Sequence, residues 1–220
     1  MGYAGMDTSI YPGDVVMDDL IENTNLVWCG FYLGPAPSHP DPSWMGQRAR
    51  LVKTGWGLAP IYVGQQEPGG PGSHKLTAAQ GRLDGDDACS LAKGAGFPTS
   101  SLIYLDIEAP APLTQPTSDY LAQWHEVVTA LDYRAGVYCS HHVVAAIAGL
   151  GLDLRYWVYK ISNADNGGTK QQPFKDDDPP TIAGVDTTAW QWTQNCIIKT
   201  VNGDITVDLD TAATSNPSLP

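Results

Sequence analysis

Basic residues are scarce in this 220-residue chain: 12 Lys and Arg stand against 24 Asp and Glu, a formal charge of −12. Nucleic-acid binding draws much of its affinity from cations that neutralise phosphates and release counterions. A chain this acidic, without a basic patch, is therefore not expected to take nucleic acid as a partner. Long hydrophobic runs are also missing. The longest weakly polar stretch, Val143–Leu152, falls far short of the roughly 20 apolar residues a helix needs to cross a bilayer, and no membrane span is expected. No basic segment followed by an apolar one precedes Asp7, so a cleavable export signal is expected to be absent or already removed. Cys29, Cys89, Cys139 and Cys196 are widely separated. They include no CxxC pair and no Cys/His grouping of zinc-site spacing, and they read as buried thiols, with one or two disulfides open if the protein is exported. Asp176-Asp177-Asp178 lacks the spaced ligands of a calcium loop, and no metal and no cofactor are expected. There is no Gly-x-Ser-x-Gly elbow and no phosphate-cradling glycine loop. Cys139 beside His141 lacks an evident third group for nucleophilic chemistry.

What is present is apolar and aromatic: 42% hydrophobic residues, with 7 Trp and 10 Tyr, enough for one sizeable core. Short apolar runs alternate with amphipathic segments, the pattern of βα units and a mainly parallel sheet. Strands are expected at Tyr3–Asp7, Leu26–Tyr32, Leu58–Val63, Ser101–Ile107, Arg134–Cys139, Tyr156–Ile161, Thr188–Thr193 and Ile205–Leu209. Helices are expected at Asp14–Asn23, Ser43–Lys53 capped by Ser43, Thr77–Ala95, Thr117–Leu131 capped by Ser118, and Val143–Ala148. Ser162–Ala183, with Gly167-Gly168 and Pro179-Pro180, reads as a long loop, and no helix separates the last two strands. The expected fold is α/β, an irregular (β/α) TIM-like barrel of about eight strands with reduced helices in its last third. Residues 1–212 form a single barrel domain in this reading, the tail 213–220 is frayed, and the protein is a monomer.

The chemistry centres on Leu102-Ile103-Tyr104-Leu105-Asp106-Ile107-Glu108-Ala109-Pro110. A strand runs here into a proline loop, which places Asp106 and Glu108 at its carboxyl end, where barrel active sites are built. Residues two apart face alike, with Cα atoms about 6.5–7 Å apart. Two such acids in a partly apolar setting do not both ionise, so one keeps a proton near neutrality. Glycoside hydrolysis needs such a proton donor and a second group at the developing oxocarbenium centre. Alone, Asp-x-Glu also suits a loop cap. Asp7 at the end of the first strand and Asp208 in the last give it weight, because barrel closure brings those strands together.

Gly5-Met6-Asp7-Thr8-Ser9, Ile103-Tyr104-Leu105-Asp106-Ile107-Glu108, Gly136-Val137-Tyr138-Cys139-Ser140, Trp190-Gln191-Trp192-Thr193 and Val207-Asp208-Leu209-Asp210 stand in the order seen in family 25 glycoside hydrolases, the Chalaropsis-type lysozymes. More narrowly, the chain resembles the related glycoside-hydrolase-like domain family. The resemblance implies a muramidase that cleaves the β-1,4 bond between N-acetylmuramic acid and N-acetylglucosamine in peptidoglycan, acting at an extracellular or periplasmic site. It implies Glu108 as general acid, Asp106 as nucleophile or as the group that orients the substrate N-acetyl, and Asp7 and Asp208 as supporting acids. One departure is Tyr156-Trp157-Val158-Tyr159-Lys160, which puts a cation near the mouth where the lysozymes carry an aromatic-then-alanine pattern.

Tyr62, Tyr138, Trp157, Lys160, Trp190, Gln191 and Trp192 lie at or beside strand ends and are candidate substrate contacts, since aromatic faces stack on sugar rings. Trp190 and Trp192 face one way and Gln191 the other, and one of the two sets lines the mouth. Glu67 is a candidate reserve acid, and His141 and His142 are candidate rim contacts. Two further readings stand beside the muramidase: a cell-wall glycan-binding barrel without turnover, and a hydrolase of chitin or another N-acetylhexosamine polymer.

Overall fold

Eight strands close into one barrel in chain order; the computed structural model describes residues 1–219. The strands are β1 Tyr3–Asp7, β2 Trp28–Tyr32, β3 Gly57–Val63 and β4 Leu102–Ile107, followed by β5 Arg134–Ser140, β6 Arg155–Tyr159, β7 Ala189–Thr200 and β8 Gly203–Ala212. Helices α1 Asp14–Asn23, α2 Arg48–Thr54, α3 Ala78–Gly94, α4 Gln115–Ala130 and the single-turn α5 Val144–Ala148 follow the first five strands. Among the described residues no helix separates β6 from β7 or β7 from β8, in line with the expected irregular last third. Strands β1 to β7 run parallel to their chain neighbours, whereas β8 is antiparallel to both β7 and β1. A tight turn at Val201-Asn202 joins β7 to β8, and a hairpin this short can only reverse direction. The early half of β8 therefore reaches the end of the barrel at which the other strands finish. Asp208 sits opposite Asp7, and Asp210 opposite Gly5, two residues deeper.

Two helix starts differ from expectation for local reasons. The Ser43 segment forms turns, and α2 begins only at Arg48. Gly46, at φ +85°, breaks the helical path, and the Ser43 hydroxyl accepts the Tyr11 N–H instead of capping. Helix α4 starts earlier, because the Thr114 hydroxyl caps it through the Thr117 N–H and Pro116 stands in a first turn that needs no N–H from it. Its inner face then buries Tyr120, Leu121, Trp124 and Val128 at helical spacing.

The barrel has two apolar regions. The larger lies between the outer faces of the strands and the helices. The smaller fills the barrel interior with Trp28, Ala59, Ile61, Leu102, Tyr104, Trp157, Ala189 and Ala212. Trp157 stands edge-on to Trp28, Tyr104 and Tyr138, with ring centroids 5.3, 5.5 and 5.3 Å away. Large rings fit inside an eight-stranded barrel only where neighbouring strands offer no side chain. Gly5 and Gly136 are such places, since a Cβ at either would strike the Trp28 or the Tyr104 ring, and at Gly30 a Cβ would lie 2.7 Å from the Asp7 Cβ and 3.0 Å from the Ile61 Cδ1.

Residues 213–219 are not frayed, the expectation from the tail's composition, but folded under the barrel floor, and residue 220 lies outside the described residues. The Leu102 N–H donates to the Ser218 carbonyl (2.8 Å), the Leu58 N–H donates to the Asn216 side chain (3.1 Å), and Ser218 is buried. Proline and polar residues hid this, because the contacts are backbone bonds to the starts of β3 and β4.

Gly30→Ala is expected to cost about 1–3 kcal/mol through overpacking. Thermal unfolding should show this as a fall in Tm of several degrees; an unchanged Tm would mean that the interior is looser than these distances describe.

Candidate active site

Five carboxyl groups converge at the mouth end of the barrel, and desolvation raises the pKa of every one: Asp7, Asp106, Glu108, Asp208 and Asp210. Asp7 ends β1 and is buried; its Oδ1 accepts the Tyr32 hydroxyl at 2.7 Å, while its buried Oδ2 has no donor. Asp106, 8% exposed, has a buried Oδ1 without a partner. Burial, then the charges of Glu108 and Asp7, push its pKa well above the usual carboxylate value. Glu108 stands one residue past β4 at the solvent-open rim. Protein atoms packed around its carboxyl still raise its pKa. No basic side chain is among the main influences on any of the five.

The strand-end backbone is held by Gln66, which sequence reasoning passed over in favour of its neighbour Glu67. The buried Gln66 side chain donates to the Asp106 carbonyl (3.0 Å) and accepts the Glu108 N–H (3.0 Å). It thereby clamps the peptide between the two acids. Gln65 anchors this loop by donating to Asp84 (3.1 Å) and accepting the Lys75 N–H (2.9 Å). Two adjacent glutamines at the carboxyl end of a barrel strand were the available signal. Glu67 is no reserve acid: it accepts the hydroxyls of Thr114 and Thr117 at the start of α4, where the helix dipole favours an anion.

Asp208 is placed by an irregularity in β7. Register shifts between Gln191 and Cys196, with Asn195 at φ +51°, turn the Asn195 N–H onto Asp208 Oδ1 at 2.7 Å, the kind of re-aiming for which β-bulges recur beside functional sites. Gln191 donates to Asp208 Oδ2 (2.7 Å) and accepts the Tyr138 hydroxyl. Burial and the charge of Asp7 still outweigh these bonds, and the Asp208 pKa is pushed up to about 7. Asp210 was quoted in the motif but not singled out as a site residue. It is fully buried, with Oδ1 accepting the Trp157 indole N–H at 2.9 Å. Its place two residues after Asp208 on one strand was the signal that could have found it.

The candidate substrate contacts separate into groups. Gln191, not the tryptophan pair, faces the interior, but it is buried beneath Asp208. Tyr138 is half-buried beside it. Trp157 belongs to the interior floor and reaches no solvent. Tyr62 faces outward against α3, its hydroxyl bonded to Asp87 at 2.9 Å. Trp190 and Trp192 lie on the outer face of β7, where Lys175 sits 4.6 and 4.7 Å from their ring centroids and covers a side that has no helix. The open space begins at Glu108. A cavity of about 380 Å³ runs from Glu108 past Ser140 to Tyr159, His141 and His142. A second, of about 400 Å³, adjoins it through His141 and Ile161 and reaches Lys160 and Trp190. Lys160 thus serves the outer cavity rather than the acid cluster. Both volumes lie in the range of ~300–1,000 Å³ usual for ligand clefts. Among the described residues no three His, Cys, Asp or Glu side chains are grouped to hold a metal ion.

The sequence profile of the Rv2525c-like, glycoside hydrolase-like domain matches residues 20–213, most of the chain. The chain belongs to that family. The match begins after β1, so Asp7 stands outside the matched residues while the other four acids lie within them. The Tat-secreted protein Rv2525c of Mycobacterium tuberculosis, solved with L-tartrate, superposes with a TM-score of 0.65 over 96% of each chain at 18% identity. A lysozyme from Streptomyces coelicolor gives 0.66 over 97% of this chain and 93% of its own, at 14% identity. The catalytic domain of endolysin ply40 from Listeria phage P40 gives 0.62 over 97% and 94%, at 16% identity. No curated protein matches the chain in sequence. At these identities the structural likeness is one of fold: a TIM-like barrel shared with family 25 lysozymes.

A carboxyl whose pKa is raised on folding stabilises the native state while protonated, and that contribution is lost as pH rises through its folded value. For Asp208 the window runs from its unfolded value of 3.8 to about 7. Between those limits the wild type should lose stability relative to Asp208→Asn at up to about 1.4 kcal/mol per pH unit. Paired thermal melts across this range check it; parallel curves would show that Asp208 ionises normally.

Proposed function

We propose that this barrel is a metal-independent glycoside hydrolase of the muramidase type, cleaving the β-1,4 N-acetylmuramic acid–N-acetylglucosamine bond of peptidoglycan. The observation that carries the reading is Glu108: an acid with a raised pKa, open to solvent, at the head of a cleft and beside a buried acid two residues away on the same strand end. Glu108 holds its proton nearer to neutrality than an ordinary glutamate and delivers it to the leaving glycosidic oxygen. Asp106 supports a reading in which the substrate N-acetyl group takes part. Its Oδ1 is a buried acceptor with no donor, a cost that a ligand N–H relieves. The acetamido N–H of an N-acetylhexosamine is such a donor, and once held by Asp106 its carbonyl oxygen is turned towards the anomeric carbon. Burial and the charge of Asp7 raise the Asp106 pKa and keep its proton in place. Tyr159, His141 and, in the outer cavity, Lys160 and Trp190 provide the walls along which a polymer lies. The proposed site of action is outside the cytoplasm, where peptidoglycan lies, in keeping with the Tat-secreted relative.

Muropeptide release from purified peptidoglycan tests this. Glu108→Gln should lower the rate by roughly 10²–10⁴-fold, the usual contribution of a general acid. Equal release by both proteins would overturn the catalytic assignment, and retention on insoluble peptidoglycan with no soluble product from either would favour a glycan-binding barrel without turnover. Release from chitin alone would keep the chemistry and change the polymer. Activity of the wild type should fall as pH rises through the Glu108 pKa, since the deprotonated acid has nothing to donate.

A further inference from the structure

Beneath the acids that meet the cleft lies a contact that the hydrolytic reading does not use. Asp210 and Asp7 are diagonal neighbours on the inner face of the β8–β1 pairing, where Asp210 stands opposite Gly5 and Asp208 opposite Asp7, and each bears on the other's protonation. Each has one oxygen already satisfied from elsewhere: Asp210 Oδ1 by the Trp157 N–H at 2.9 Å, Asp7 Oδ1 by the Tyr32 hydroxyl at 2.7 Å. The other oxygen of each, Oδ2, is buried and lacks any donor. Two carboxylates cannot form a hydrogen bond with each other, for both are acceptors only. A single proton between them turns one into a donor and satisfies both bare oxygens at once.

We propose that Asp210 is a permanently protonated positioning residue, whose carboxyl O–H donates to Asp7 and holds Asp7 ionised and oriented under the catalytic pair. The surroundings decide which partner keeps the proton. Asp210 is fully buried and, among the described residues, its one donor is the indole N–H of Trp157, which is itself sealed among Trp28, Tyr104 and Tyr138. Asp7 lies nearer the mouth and receives a tyrosine hydroxyl, which favours its charged form. Accordingly the pKa of Asp210 is driven well above the ordinary value, first by burial and then by the charges of Asp7 and Asp208, whereas that of Asp7, also raised by its burial, is drawn back by the Tyr32 hydroxyl and by Asp210. The titratable groups around the pair are Tyr32 on β2, Asp106 and Glu108 at the end of β4, Tyr138 on β5 and Asp208 on β8; β6 and β7 contribute the neutral Trp157 and Gln191. Asp7, thus fixed as an anion, is one of the charges that keep a proton on Asp106 and Asp208. Asp210 therefore acts on the site through Asp7 and touches no substrate.

An asparagine reproduces a neutral acid here: its carbonyl accepts from Trp157 and its amide donates to Asp7. Infrared difference spectra of wild type against Asp210→Asn at pH 8 should show the loss of a protonated-carboxyl C=O band. The same band should vanish in Asp7→Asn, because the amide of residue 7 can then supply the donor and the proton leaves Asp210. Loss of carboxylate bands alone in Asp210→Asn would overturn the proposal. This spectroscopic result does not depend on turnover, so it stands or falls separately from the hydrolytic reading. The kinetic arm rests on that reading. Asp210→Ala, with no donor, should let Asp7 take up a proton and move the acid limb of the pH–rate profile by about one unit, a tenfold change on that side, and Asp210→Asn should restore it. An Asp210→Asn enzyme as inactive as Asp106→Asn would overturn the positioning role.

Discussion

Closing a sheet into a barrel removes its edges but also encloses whatever points inward, and here the enclosed side chains include acids with no cation to answer them. A buried carboxylate is costly in its charged form, and its pKa rises accordingly. Asp7, Asp106, Asp208 and Asp210 are all raised for this first reason, burial, with mutual repulsion second or later. The rest of the site is arranged around that constraint. Neutral donors replace cations: Tyr32 for Asp7, Trp157 for Asp210, Gln191 and the bulge N–H of Asn195 for Asp208. An arginine or lysine in their place would drive the acids into their charged forms.

The floor of the barrel serves the same end. Trp28, Tyr104 and Trp157 fill the interior below the acids, exclude water and supply a single aimed N–H. That filling depends on residues without side chains, since a methyl group at Gly5 would collide with the Trp28 ring, one at Gly136 with the Tyr104 ring and one at Gly30 with the Asp7 Cβ. Above the acids the barrel opens on the Glu108 side, where the cleft towards His141 and Tyr159 begins. The gradient from a dry floor to a wet rim separates the carboxyls by role: Asp210 sealed, Asp7 and Asp106 buried, Asp208 partly shielded, Glu108 at the surface.

The outer surface is organised by a different shortage. Five helices screen the earlier strands, and β7 has none, so the loop after β6 takes their place. Lys175 lies over Trp190 and Trp192, while Asn25 and Phe174 exchange hydrogen bonds of 2.8 Å that pin the loop to the start of β2. Aromatic residues at strand ends thus have three fates in this protein: interior floor, outer cover and cleft wall.

Much of this was legible in the chain itself. The apolar run ending in Asp106-Ile107-Glu108 marks β4 and its mouth, and the two-residue period separates Gln191 from Trp190 and Trp192. Periodicity says which residues share a face, however, and not which face is inward, so Trp157 and Tyr62 could not be told from sugar platforms. It is also blind to strand direction; only the hairpin makes β8 antiparallel and carries Asp210 down beside Asp7. The bulge at Asn195 and the folded tail are contacts between positions far apart in sequence, with no local pattern to announce them, and the Gln66 clamp was signalled only by the Gln65-Gln66 pair. Local chemistry, the residue types and their spacing, was determined by the sequence alone. Tertiary structure decided which of those groups lost their water, and desolvation is the term that sets their protonation.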